Sequence, residues 1–375
     1  MNRKLGIFAS SLGIALGVLA LPGSAAAQGC LPFTSQTGSE IVQDFPPSGT
    51  PQTSWRVAFG FANRKGLFIT SAEFRKSPSD PYMKVLSEAG LSDVFVPYHP
   101  GSPRFLDLSQ FNFALLPVVS GDLGACGQQA ASVVVKEIRD RGLLWKDDSR
   151  TQRAYELVLW ATLDAANYNY IMQYSFRDDG SIGFRLGATA RNLPGSEQVA
   201  HMHDGLWRID VDLNGKGSDV VQVHTHNESG SAASDVLAPF NASKEGFLDW
   251  NPTQFTMLNI SDPTLVNGQG KPVSYDVMVD RQGTPRHQEG YAQHDFWITK
   301  YKAAETAYTQ LTTYANAESI SNQDIVLWYM APAHHVPRSE DGRLENGVWK
   351  GSALLMWTGF DLRPRNLFDT TPRFP

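Results

Sequence analysis

Cysteine is nearly absent. The 375 residues hold two, Cys30 and Cys126, which limits the chain to one disulfide. Positive charge is not in excess either: 32 Lys and Arg stand against 38 Asp and Glu, a net charge of -6. That balance leaves no basic footprint for nucleic acid, and no Lys/Arg run marks a membrane surface. Beyond the first thirty residues no long apolar run occurs, so membrane insertion is not expected of residues 28–375. There is also no internal repeat and no linker, which points to one large domain.

What is present begins with Asn2, Arg3 and Lys4, an apolar stretch from Leu5 to Leu21, and Ala25-Ala26-Ala27. A cationic start, a hydrophobic middle and small residues at the end predict a signal peptide over residues 1–27, leaving 28–375 as a single exported domain, periplasmic or extracellular. In an oxidising compartment Cys30 and Cys126 are expected to pair. The competing reading is a lipidated Cys30, for which the preceding Ala27-Gln28-Gly29 is a poor match.

Short runs rich in Val, Ile, Tyr, Phe and Trp recur between Gly, Pro, Asn and Asp clusters, as in Trp55 to Phe61, Gly66 to Ala72, Tyr155 to Thr162 and Tyr168 to Phe176. Such spacing predicts an all-β fold, a large antiparallel β sandwich with few short helices. Asp179-Gly180 between two apolar runs predicts a hairpin, and a further strand pair is expected from Leu206 to Leu213 and Asp219 to Thr225. Gln128 to Arg141 and Lys302 to Asn316 are the helical candidates, and Asn227 to Asn251 reads as a long surface excursion.

Two histidines, His201 and His203, flank Met202. On a strand, residues i and i+2 share a face, so both imidazoles can reach one metal ion. With His335 they make three nitrogen ligands, a set that suits Cu(II) and could equally hold zinc in a hydrolase. Upstream lies Asn167-Tyr168-Asn169-Tyr170; downstream lie Asp324-Ile-Val-Leu-Trp328, His335-Val-Pro-Arg338 and Gly359-Phe-Asp-Leu-Arg-Pro-Arg-Asn-Leu-Phe-Asp369. In this order the motifs resemble the catalytic domain of the topaquinone-dependent copper amine oxidases, from about Trp55 to the C-terminus.

The resemblance implies copper on His201, His203 and His335, and a topaquinone cofactor made from Tyr168 itself. Asn167 would orient its ring and Tyr98, in Val96-Pro97-Tyr98, would hydrogen-bond it. It also implies a second metal site for calcium, with oxygens from Asp210, Val211, Asp212, Asp324 and Ile325. The intervals from His203 to Asp210 and from Asp324 to His335 match the family pattern, and hard oxygen donors suit calcium. The implied activity is oxidation of a small primary amine by O2, in a homodimer whose arms are shortened and which lacks the family's N-terminal domains.

Two positions depart from the pattern. The family's general base is an aspartate in a Phe-Asp pair, and counting without gaps from Tyr98 that pair is Phe111-Asn112. An amide cannot take the proton. Either Asp107, five residues earlier, is brought into the role by a shift of the loop, or the chain is a copper-binding relic of the fold without turnover. Asn169 stands where the family has Asp or Glu.

Overall fold

The computed structural model describes residues 29–99, 103–166, 168–189, 194–226, 236–239, 243–250, 255–280, 286–350 and 355–370. The expected signal peptide and Asn167 lie outside the described residues. Among the described residues the fold is two large antiparallel sheets, one of ten strands and one of eleven.

The ten-stranded sheet starts as a meander, Ser35–Thr37, Glu40–Phe45, Thr53–Ala62, Gly66–Arg75 and Met83–Pro97. It continues with strands from much later in the chain: Asp204–Val211, Ile325–Ala331, Phe296–Lys300 and Gly246–Leu248. The centre of the eleven-stranded sheet is Leu355–Arg365, Ile182–Thr189, Tyr168–Arg177, Thr151–Ala165 and Val134–Lys146, in that order. On the Tyr168–Arg177 strand, Tyr168, Tyr170, Met172 and Tyr174 are buried while Asn169, Ile171 and Gln173 are partly exposed. That period of two is the pleat turning every second side chain to the core.

Between the sheets Trp207 is fully buried, with ring centroids 5.9 Å from Tyr174, 5.7 Å from Phe184 and 5.8 Å from Phe360. Two polar tips in this core are satisfied across the sandwich, Trp55 Nε1 donating to the Arg177 carbonyl at 2.8 Å and Tyr174 Oη to the Leu67 carbonyl at 2.7 Å, while Trp207 Nε1 is buried with no partner. The hairpin at Asp179-Gly180 forms, with Phe176 opposite Ile182. Gly180 has φ +87°, and a Cβ there would lie 2.7 Å from Leu367, so glycine is required twice over. Cys30 and Cys126 are both disulfide-bonded, not lipidated.

Three expectations are corrected. Gln128 to Arg141 is not helical but forms the strands Gln128–Ala131 and Val134–Lys146. Three consecutive valines, Val133 to Val135, favour the extended chain, and Val134, Lys136 and Ile138 bury the same face. Of Lys302 to Asn316 only Tyr308–Gln310 and Leu311–Tyr314 coil, because the buried Tyr308 and Leu311 supply a single turn's worth of apolar contact. The strands Asp204–Val211 and Val220–His226 do not pair with each other. The chain leaves one sheet after Leu213 and enters the other through Asn214 (φ +63°), Gly215 (φ +134°), Gly217 (φ +86°) and Ser218 (φ +68°). Most of the expected excursion at Asn227 to Asn251 lies outside the described residues; Val236–Pro239 and Gly246–Leu248 within it are strands.

Trp207→Ala is expected to lower the free energy of unfolding by about 3–5 kcal/mol, read from urea denaturation. A loss below about 1 kcal/mol would mean that this aromatic cluster is not the centre of the sandwich.

Candidate metal centre

His201–Met202 and His334–His335 form a two-residue antiparallel ladder in which His201 faces His335. Reciprocal bonds between His203 and Ala333 extend it, N–H to carbonyl at 2.8 Å in one direction and 3.2 Å in the other. Alternation then does what the spacing predicts. His201, His203 and His335 are buried, whereas His334 is exposed. One nitrogen from each of the three rings lies within 4.8 Å of the others.

The other nitrogen of each ring has a partner that fixes its tautomer. His201 Nδ1 lies 3.0 Å from the Val199 carbonyl and His335 Nε2 lies 2.7 Å from Asp341 Oδ2, so both carry their proton there. Tyr170 Oη donates to Asp107 Oδ2 at 2.6 Å and sits 3.0 Å from His203 Nδ1, which therefore donates to it. The bare nitrogens are His201 Nε2, His203 Nε2 and His335 Nδ1. His203 Nε2 is buried with no partner, and His201 Nε2 faces His335 Nδ1 at 3.0 Å, lone pair against lone pair. A cation resolves that arrangement, and the donor set fits copper. Burial pulls His201 down to about 4 and also lowers His203 and His335, so the rings are neutral ligands at pH 7. Against burial, the hydrogen bonds from His335 and Arg338 hold the Asp341 carboxyl below its ordinary value.

Tyr168 opens its strand directly beside this centre. Its hydroxyl is 3.0 Å from His201 Nε2 and 2.8 Å from the Tyr98 hydroxyl, and the Tyr98 ring stacks on His201 at 4.2 Å between centroids. Burial pushes Tyr98 up to about 12 and raises Tyr168 further, so both phenols are protonated at neutral pH. Asn169, on the opposite face of the strand, donates its backbone N–H to Thr189 Oγ1 at 2.8 Å and stands clear of the centre.

A cavity of about 240 Å³ reaches Tyr98, Asp107 and Tyr168 between the apolar walls of Val96, Phe105, Phe111 and Phe113. The carboxylate on it is Asp107; Asn112 is exposed and does not line it. Gapless counting points to Asn112 instead of Asp107; the Tyr98 N–H bonds the Pro103 carbonyl at 3.0 Å. The short strand Arg104–Leu106 then pairs with Phe95 to Pro97. Asp107 is anchored through its own N–H to the Val94 carbonyl at 2.8 Å, and Asp93 Oδ1 accepts the N–H of Leu108 at 2.9 Å. Burial, offset by the Tyr170 hydrogen bond and reinforced by the charge of Asp93, pushes Asp107 up to about 7.

Asp210, Asp212 and Asp324 form a second cluster, each offering an oxygen within 4.8 Å of the others. The Oδ1 atoms of all three are buried without a partner. Val211 lies between two of these residues and Ile325 follows the third, both fully buried. Tyr170, Asp341, Asp93 and Val199 were missed by sequence reasoning. Tyr170 alone had a signal, two residues from Tyr168 and so on its face.

A sandwich with a buried three-histidine centre beside a tyrosine defines a class of metalloprotein, and the comparisons name it. Residues 193–374 match the family model for the copper amine oxidase, enzyme domain. Histamine oxidase from Arthrobacter globiformis is 23% identical over 414 residues, covering 89% of this chain and 58% of that protein. Primary amine oxidase 2 from Arabidopsis thaliana is 23% identical over 394 residues, covering 85% and 57%. The crystal structure of a copper-containing benzylamine oxidase from Hansenula polymorpha superposes with a TM-score of 0.69 at 19% identity, over 93% of this chain and 64% of that one. Over residues 193–374 the chain matches the copper amine oxidase enzyme domain, and it is similar to copper amine oxidases over most of its length. It spans less than two thirds of the length of these relatives.

Asp341→Asn is expected to weaken copper binding about 10- to 100-fold, measured by competition with a chelator, because a neutral amide oxygen holds the proton on His335 Nε2 less strongly than a carboxylate. Unchanged affinity would separate Asp341 from the metal centre.

Proposed function

We propose that the protein is an exported oxidase of small primary amines, turning amine, water and O2 into aldehyde, ammonia and hydrogen peroxide. The observation that carries this reading is the Tyr168 hydroxyl, held 3.0 Å from the ligating nitrogen of His201 and 2.8 Å from Tyr98. Copper on His201, His203 and His335 would supply the redox chemistry with O2 that converts Tyr168 to topaquinone, and the quinone would accept two electrons from the amine.

The rest is the work of this chain's own side chains. Tyr98 orients the Tyr168 oxygen by hydrogen bonding. Asp107 takes the proton from the carbon bearing nitrogen, and Tyr170 holds the Asp107 carboxylate while fixing the His203 tautomer. Apolar walls keep bulk water from the cavity and favour an amine on a small uncharged body. Asn167 keeps its expected role in orienting the ring. The relic reading drew on Asn112; a carboxylate on the cavity wall favours turnover instead.

The Asp210, Asp212 and Asp324 cluster, with the Val211 and Ile325 carbonyls, suits calcium as the second metal. A disulfide suits an oxidising compartment outside the cytoplasm, and a homodimer follows from the family resemblance.

Copper-loaded protein exposed to air should gain two oxygens less two hydrogens on the Tyr168 peptide by mass spectrometry. An unmodified peptide would contradict the proposal. Asp107→Asn should still form the quinone but lose about 10²- to 10⁴-fold in peroxide release with primary amines.

A base is active only when unprotonated, and the carboxyl of Asp107 is raised to about 7. Accordingly kcat/KM should climb as pH rises through that value and level off above it. A limb unchanged in position in Asp93→Asn would show that another group is titrating.

A further inference from the structure

The acidic cluster at Asp210, Asp212 and Asp324 has a fourth neighbour. Asp219 is 1% exposed and immediately precedes the strand Val220–His226. Its Oδ2 accepts the Ile325 N–H at 3.3 Å, and its own N–H bonds the Gln323 carbonyl at 3.3 Å, so it is fastened on both sides of Asp324. Its Oδ1 is buried with no partner, as are the Oδ1 atoms of the other three aspartates.

Charge makes the arrangement costly without a cation. The facing cations are Arg208 and Lys216. Lys216 Nζ is 3.7 Å from Asp324 Oδ2 with its side chain 59% exposed, and Arg208 Nη1 leans to Glu88 at 3.7 Å. Three buried carboxylates and the partly buried Asp324 are too many for them to neutralise. Asp219 also lines a cavity of about 140 Å³ with Ser243, Ile320, Ser321 and Asn322.

We propose that Asp219 is a fourth carboxylate of this hard-cation centre, reaching the ion through one water at the mouth of the cavity. The inference rests on the calcium reading of the cluster. Calcium takes six to eight oxygens and accepts carboxylates through water, so three aspartates and two carbonyls leave room for this partner. The consequence is structural. Asp210 lies on the strand Asp204–Val211 and Asp324 immediately precedes its neighbour Ile325–Ala331 in the ten-stranded sheet, while Asp219 immediately precedes a strand of the eleven-stranded sheet. One cation would tie the crossover between the sheets to the strands that lead from His203 and to His335.

Copper-loaded protein in calcium-free buffer, titrated with CaCl2 by calorimetry, tests this against Asp219→Asn, whose amide oxygen still accepts the Ile325 N–H. The variant should bind calcium about 10- to 100-fold more weakly. Its Tm in calcium-free buffer should stay level or rise, because one buried acid fewer is left without a partner. Wild-type calcium affinity in the variant would overturn the role of Asp219 while leaving the three-aspartate site standing. A calcium-free Tm that falls together with the affinity would mark Asp219 as a structural residue and also overturn it. Failure of the wild-type protein to bind calcium at millimolar concentration would instead remove the underlying reading.

Discussion

The metal centre depends on a ladder two residues long. Pairing of His201–Met202 with His334–His335 joins segments more than a hundred residues apart, and the backbone bonds between His203 and Ala333 lock its register. A slip of one residue would turn His334 inward and His335 outward. The long strands on either side hold that register: Asp204–Val211 and Ile325–Ala331 are neighbours in the core of the ten-stranded sheet, so the ladder is the continuation of a pairing already fixed by burial.

Around the ladder, burial acts on acids and bases in opposite directions. It keeps three imidazoles neutral and able to ligate, and it raises Asp107 to about 7, where a carboxyl exchanges its proton near neutral pH. Tyr170 links the two effects, donating to Asp107 while receiving the proton of His203. A change at this phenol therefore reaches both the His203 ring and the Asp107 carboxyl.

Much of this was legible because strands encode geometry at short range. His201 and His203, Tyr168 and Tyr170, and Asp210 and Asp212 each stand two residues apart, and that spacing sets the common face of each pair. Loop length is not encoded that way: Asp107 lines the cavity where gapless counting gave Asn112. Asp341 and Val199 act by fixing a tautomer through space, which leaves no periodic trace. At Gln128 to Arg141 a partly helical composition was overridden by the β-branched Val133 to Val135 and by strand pairing. The strands on either side of Asn214 to Ser218 are expected to pair but enter different sheets, because the glycines between them serve a change of sheet.

The central claim is that the lone pairs of His201 Nε2, His203 Nε2 and His335 Nδ1 meet on one copper ion. Electron paramagnetic resonance of the copper-loaded protein tests it most directly. The account predicts one Cu(II) per chain with coupling to three imidazole nitrogens, reduced to two in His203→Ala. Substoichiometric copper, or a nitrogen pattern unchanged by that substitution, would contradict it.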